Sequence, residues 1–265
     1  MKEEFSTEWG GGKINLPLVR YDGSSDVSDG FFGILLEINQ GNVTITNVTF
    51  DGNKEKISAS NPLLSIEGST TTVTLGDGVT VCNNYNNTTF GGGIYVSDGT
   101  LAMDNCTVSE NGTISKGGGI FACNSAKVTL TNCTIKSCET TSEDSGTGGG
   151  GIYNENATIE IKGGEISDCS AGRTGGGIYN YSGTLSVSGC SFLRCKTIAN
   201  SGGGICNSSG CIATVTDCSF TSCVAKLQGG GIRNAGTLTI SNVTYSECVA
   251  GNGDANLYNV GTLNP

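Results

Sequence analysis

Histidine is absent from the 265 residues, proline occurs 3 times, tryptophan once, and aromatic residues make up only 6%. Basic residues are also scarce, 14 against 24 acidic ones, giving a formal charge of -10, and no Lys/Arg cluster stands anywhere in the chain. That balance argues against binding a nucleic-acid backbone. No run of 18 apolar residues exists, so no transmembrane helix is expected, and Met1-Lys2-Glu3-Glu4-Phe5 lacks the apolar core of a secretion signal. We therefore expect either a cytosolic protein or a piece of something longer. Gly261-Thr262-Leu263-Asn264-Pro265, which stops within a repeat, favours the piece.

What the chain has is glycine, 43 residues of it. The glycines do not fall at every third place and apolar residues still reach 36%, which excludes both a collagen helix and a disordered linker. A Gly-rich, aromatic-poor chain needs turns at close, regular intervals, as a solenoid does.

The glycines set a repeat. Ile94, Ile120, Ile152, Ile178, Ile205 and Ile232 each follow three of them, at spacings of 26, 32, 26, 27 and 27. Leu257 opens another copy without the triplet, Leu36 heads a matching copy upstream, and a looser one runs from Leu64 to Ile66, which makes nine. Within copies, apolar residues alternate with polar ones at strand period, as in Leu101/Met103, Val128/Leu130, Ile159/Ile161 and Leu185/Val187. We expect an all-β, right-handed parallel β-helix of about nine coils, each with three short strands arranged as a triangle. Stacked at ~4.8 Å per coil, it would form a rod of about 43 Å. Ile45, Leu75, Met103, Leu130, Ile161, Val187, Val215 and Ile240 should point inward. Residues 1–31 read as a divergent cap or first coil, the one place where helix is conceivable (Glu3 to Tyr21), and residues 32–265 as a single repeat domain.

Two further rows run through the copies. One has the form apolar-x-x-Asn or apolar-x-x-Cys: Phe50/Asn53, Val81/Asn84, Val108/Asn111, then Ile135/Cys138, Ile166/Cys169, Phe192/Cys195, Phe220/Cys223 and Tyr245/Cys248. The other is Asn154, Asn180, Asn207, Asn234 and Asn259, two places after the triplet-following apolar residue. Asn suits left-handed corners, and its amide can donate to one coil while accepting from another, so a buried row satisfies itself. The competing reading is turn asparagines facing water.

The Gly triplets with Ile and the Phe-x-x-Asn elements resemble the polymorphic outer-membrane-protein repeat, with its Gly-Gly-x-Ile and Phe-x-x-Asn signatures, and related adhesin-like surface repeats. The resemblance spans approximately Phe32 to Leu263. It implies a right-handed β-helix on a cell surface with an adhesive role, and any anchor would lie outside this chain. A third glycine where that family often has Ala, and Cys in place of Asn in five successive copies, depart from the pattern.

The 13 cysteines mostly fall in columns. Cys138, Cys169, Cys195, Cys223 and Cys248 form one, and Cys106/Cys133 and Cys190/Cys218 lie in another. Register spacing of roughly 4.8 Å exceeds the 3.5–4.5 Å Cβ separation of a disulfide, so most should be reduced, small apolar fillers. Cys206 and Cys211, flanking Asn207-Ser208-Ser209-Gly210, are the candidate bridge. Straight columns without His do not converge tetrahedrally, so no metal site and no cofactor is expected.

The functional readings are a non-catalytic adhesin-like binder of glycan or protein on another cell, extracellular or surface-displayed; a passive stalk; and a polysaccharide lyase or glycoside hydrolase. Catalysis would need converging carboxylates or a calcium cluster, whereas Asp104 and Glu160 sit two copies apart and Asp217 falls outside the outward row. The Gly triplets lack the Lys-Ser/Thr and helix of a phosphate loop, which rejects nucleotide binding. An outward Ser/Thr series, Thr44, Thr74, Thr129, Ser186, Thr214 and Thr239, is similar to the flat faces of β-helical ice binders but is broken by Ala102 and Glu160. Of the Asn-x-Ser/Thr sequons, only loop ones such as Asn87 should accept a glycan in a eukaryote. The candidate ligand-binding residues are Tyr95, Phe121, Tyr153, Tyr179 and Tyr258, one place after the triplet-following residue, a row interrupted by Cys206 and Arg233. Facing out, these rings would stack on sugars or a partner, mutual stacking along the ladder being the competing role. The six extra residues between Ile120 and Ile152 fall in Glu139 to Thr147, and this loop should project beside Phe121 and Tyr153.

Overall fold

The structure is a computed structural model that describes residues 18–19, 33–55, 59–87 and 90–265. The cap expected over residues 1–31 lies outside the described residues except for Leu18–Val19, a short strand pairing in parallel with Thr49–Asp51. No α-helix occurs among the described residues, and none of their segments is a helix long and apolar enough to cross a membrane.

Every strand pairs in parallel with its equivalents one repeat before and after, which builds a solenoid with four faces. The first face contains the strands that follow the glycines, such as Ile94–Ser97, Ile120–Cys123, Ile152–Glu155 and Ile178–Asn180. The second contains Thr100–Asp104, Lys127–Thr131 and Thr158–Lys162. Thr107–Ser109 and Thr134–Lys136 belong to the third. Among the described residues these three faces are nine strands deep; the first two have one strand per copy, and the third gains Leu18–Val19 ahead of the first copy and has none in the last. The triangular coil is corrected by a fourth face of seven strands, each only two residues long, such as Gly112–Thr113 and Glu139–Thr140. Two residues are too few to show an alternation, so periodicity does not reveal this face.

Register follows the alternation. Met103 pairs with Leu130 and Leu75, and Leu130 with Ile161. Of the expected inward residues, Leu75, Met103, Leu130, Ile161, Val187 and Val215 are buried in one continuous core, while Ile45 and Ile240, towards its ends, pack against it half-buried.

Corners use left-handed residues. Between the second and third faces stand Asn105 (φ 50°), Asn132 (φ 49°) and Asn242 (φ 49°), and between the third and fourth Glu110 (φ 56°), Ser137 (φ 52°) and Asp168 (φ 54°). The apolar-x-x-Asn/Cys row mostly follows these residues, so its side chains turn inward instead of making the bend. Asn111 donates from Nδ2 to the Val81 carbonyl (2.8 Å) and accepts from the Asn84 N–H (3.1 Å).

The second Asn row is likewise not at the corners. Asn154, Asn180, Asn207 and Asn234 are strand residues, fully buried, and each Nδ2 donates to the next Oδ1 at 2.8, 2.8, 2.8 and 2.6 Å, ending on Asn259. This is the self-satisfying ladder, and it excludes turn asparagines facing water.

Candidate functional site

The five candidate rings stand on the outer face of the first sheet, in register: Tyr95, Phe121, Tyr153 and Tyr179 are successive partners, followed by Cys206, Arg233 and Tyr258. The first four rings contact one another, with centroids 5.6 Å apart for Tyr95–Phe121 and Phe121–Tyr153 and 5.2 Å for Tyr153–Tyr179. Their expected exposure needs correction, because Phe121, Tyr153 and Tyr179 are only 3%, 0% and 8% accessible. Tyr95 and Tyr258 are half-buried.

The incoming chain explains the burial. Each coil crosses over the outward residue before entering its strand, and the first glycine of the triplet makes the crossing at positive φ, as at Gly175 (φ 64°). A Cβ there would lie 2.7 Å from the Tyr179 Cβ, so only glycine lets the segment lie flat on the row. The Glu139 to Thr147 insertion adds to the cover: the Tyr153 hydroxyl donates to the Gly146 carbonyl at 2.7 Å. The loop does meet Tyr153, as the spacing predicts, but as a lid on the ring. Burial holds the Tyr179 hydroxyl up at about 12.

Among the described residues two aromatic ones outside the repeat rows remain open, Phe90 at 41% and Tyr181 at 39%. Phe90 stacks on Phe121 (5.2 Å) and Tyr181 leans on Tyr153 (5.8 Å). Between them lies the ammonium of Lys116, 5.3 Å from the Phe90 centroid, 5.9 Å from Phe121, 5.2 Å from Tyr153 and 5.9 Å from Tyr181. The Glu155 carboxylate accepts from it at 2.8 and 3.1 Å. Sequence reasoning missed these residues. Phe90 and Lys116 each stand immediately before a Gly triplet and bridge in parallel, Lys116 in turn bridging Gly148, so aligning the triplets one place upstream would have paired them. On the side of the earlier coils, Phe90 and Tyr95 wall an open pocket of about 210 Å³ with Ser65, Glu67 and Asn86. Glu67 accepts from the Ser65 hydroxyl at 2.8 Å. Burial, then the Cys123 contact, raises the Tyr95 hydroxyl to about 12.

The candidate Cys206–Cys211 bridge is not formed, since all thirteen cysteines are free. Cys206 occupies a ring position in the outward row, where Arg233 Nη1 approaches its sulfur at 3.9 Å, whereas Cys211 turns its thiol to the Ser209 carbonyl at 4.0 Å. Burial pushes the Cys206 thiol up to about 11. The inward column is also free: Cys138, Cys169 and Cys195 give their thiols to carbonyls one coil below, at Val108, Ile135 and Ile166. Each also fills the space facing the third glycine of a triplet, as Cys138 does opposite Gly119, where a Cβ would come within 3.2 Å of the sulfur.

The outward carboxylates stay apart. Glu160 pairs with Lys162 (2.9 Å), and Asp217 accepts from Asn242 (2.7 Å). Asp104 lies two strands from Glu160 in a different outward column, since Ala102 leads through Thr129 to Glu160 and Asp104 through Thr131 to Lys162. Among the described residues no group of three or more His, Cys, Asp or Glu side chains is placed to hold a metal ion.

A family model described as a right handed beta helix region matches residues 19–146 and again 92–258. The chain belongs to the right-handed β-helix family. As in the coils described above, the two matches overlap because each stretch of the β-helix is a repeat of its neighbours. No curated protein and no solved structure matches the chain.

Proposed function

We propose that this β-helix is a non-catalytic, adhesin-like binding domain of a secreted or surface-displayed protein, engaging glycan or protein on another cell through the outer side of its first face. The observation that carries this reading is the placement of the two open aromatic rings, Phe90 and Tyr181, on the same face as the pocket lined by Tyr95, Ser65 and Glu67. Aromatic faces beside hydroxyl and carboxylate acceptors suit the apolar and polar sides of a sugar, or a protein contact. A single carboxylate in that pocket, already accepting from Ser65, supports binding over hydrolysis, which uses two. The scarcity of basic residues speaks against a nucleic-acid partner.

A passive stalk is the second reading, favoured by the unbroken register of the sheets. A glycan and cell-binding panel separates the two. The parent should bind at least one surface, and the Tyr95→Ser/Glu67→Gln variant should lose that binding while keeping a β-sheet spectrum. A parent that binds nothing, or a variant that binds as well, replaces the binder with the stalk.

A further inference from the structure

Four rings and one carboxylate surround a single ammonium in this protein. We propose that Phe90, Phe121, Tyr153 and Tyr181, closed by Glu155, form a cation cage for an alkylammonium group, a lysine side chain of a partner protein, with Lys116 as its resident and displaceable occupant. The inference rests on the reading of this face as a binding surface and adds the chemistry of what it takes.

An aromatic box closed by an acid is the arrangement that recognises alkylammonium ions, because the ring faces and the carboxylate are all electronegative. The cage meets water at its rim, through Phe90, Tyr181 and the Lys116 and Glu155 side chains, which are 19% and 31% accessible, while Phe121 and Tyr153 form its buried floor. The pair keeps contact with water on one side, which leaves the ammonium a path to swing out of the cage. The backbone of Lys116 is held independently: its carbonyl accepts from Gly91 N–H at 2.9 Å, and it bridges Phe90 and Gly148 on either side. A swing of the side chain therefore leaves the coil intact. Nor does the fold need a cation at this place, since the equivalent position in the next coils is Gly148 and then Thr174. Among the described residues Phe90 and Tyr181 are the aromatic members of the exposed large hydrophobics, so the most open of the described rings flank the cation they surround. The formal charge of -10 attracts a basic partner from a distance.

A tethered ligand competes at a high effective concentration, so the parent should bind a free cation weakly and emptying the cage should tighten it. The test titrates tetramethylammonium into the parent, Lys116→Ala and Lys116→Gln, following the tyrosine ring signals by NMR. Both variants should keep the parent's thermal midpoint within a few degrees and bind about tenfold tighter or better. Adding Tyr181→Ala or Glu155→Gln to Lys116→Ala should abolish the gain. A Lys-containing peptide should compete with tetramethylammonium. Affinity no tighter than the parent's, a gain that survives Tyr181→Ala, failure of the peptide to compete, or collapse of both Lys116 variants overturns the proposal. Tight tetramethylammonium binding by a protein that binds no cell or glycan would instead remove the surface-binding reading and leave the cage standing. The converse result removes the cage alone.

Discussion

Replacing Asn180 by Ala tests the ladder at its centre. The Asn180 amide donates to Asn207 Oδ1 at 2.8 Å and to the Gly183 and Ile212 carbonyls at 3.2 and 3.3 Å, and accepts from Asn154 Nδ2 at 2.8 Å. Alanine removes all four. Asn154 Nδ2 keeps the Thr184 carbonyl at 3.1 Å, whereas Asn207 Oδ1 is left facing a void. Two short buried hydrogen bonds at about 1 kcal/mol each, plus about 1–3 kcal/mol for the stranded acceptor, give a loss of about 3–5 kcal/mol. For a chain of this size that is a fall in thermal midpoint of about 10 °C. Asn259 ends the ladder, is exposed, and accepts one bond from Asn234 at 2.6 Å. Water replaces that bond, so Asn259→Ala should cost about 1 kcal/mol or less. Thermal and urea unfolding of the two variants side by side provide the measurement. Equal shifts would refute the argument that burial makes the ladder matter. Asn180→Asp should be worse than Ala, since it sets a carboxylate against Asn207 Oδ1 without a donor.

Replacing Phe121, Tyr153 and Tyr179 together by Ser should leave little folded protein in a circular dichroism melt, because truncating each buried ring costs about 3–5 kcal/mol; a triple variant that melts like the parent would show the row to be exposed. A thiol reagent at neutral pH should label at most Cys82, the one half-buried cysteine, until denaturant is added, and mass spectrometry of unreduced protein should show no bridge. Burial raises Cys206 from 9.0 to about 11 and Tyr179 from 10.0 to about 12, so the unfolded chain loses these protons first as pH rises. Their contribution to stability is therefore complete below about pH 9 and lost between there and about pH 12. A melting temperature that holds constant or rises across that interval would contradict the burial.

The parts of the molecule legible in its sequence are those where one residue type recurs at one place in every coil. Leu101/Met103 over Val128/Leu130 fixes the second face, since a one-residue slip would turn the core residues to water. Asn154 through Asn234 were readable as a ladder because the same amide recurs two places after each Ile, and an in-register repeat forces like onto like. The fourth face was hidden because Gly112–Thr113 and its equivalents are too short to alternate. Burial of the aromatic row was hidden for a different reason. Alternation correctly sends Tyr153 and Tyr179 out of the core, but it does not say what the chain does before the strand begins.

The glycines carried that information. Each triplet combines three separate demands, as Gly175, Gly176 and Gly177 show. Gly175 turns at positive φ over Tyr179, Gly176 leaves no room for a Cβ between the carbonyls of Lys196 and Gly203, and a Cβ at Gly177 would stand 3.3 Å from the Cys195 sulfur across the interior. A triplet that only bent the chain would need one glycine. At Gly175–Gly177 the backbone is pressed between a ring outside, a coil alongside and a thiol inside, while in other triplets the third glycine faces Asn111, Phe220 or Tyr245. The insertion from Glu139 to Thr147 obeys the same constraint, because its extra residues are spent before Gly149 and the register of Ile152 on Ile120 is untouched. The largest change in coil length, the insertion before Gly149, thus falls in the segment just upstream of the triplet. That segment contains Phe90 and Lys116, and there the outer face acquires residues that no row of the repeat predicts.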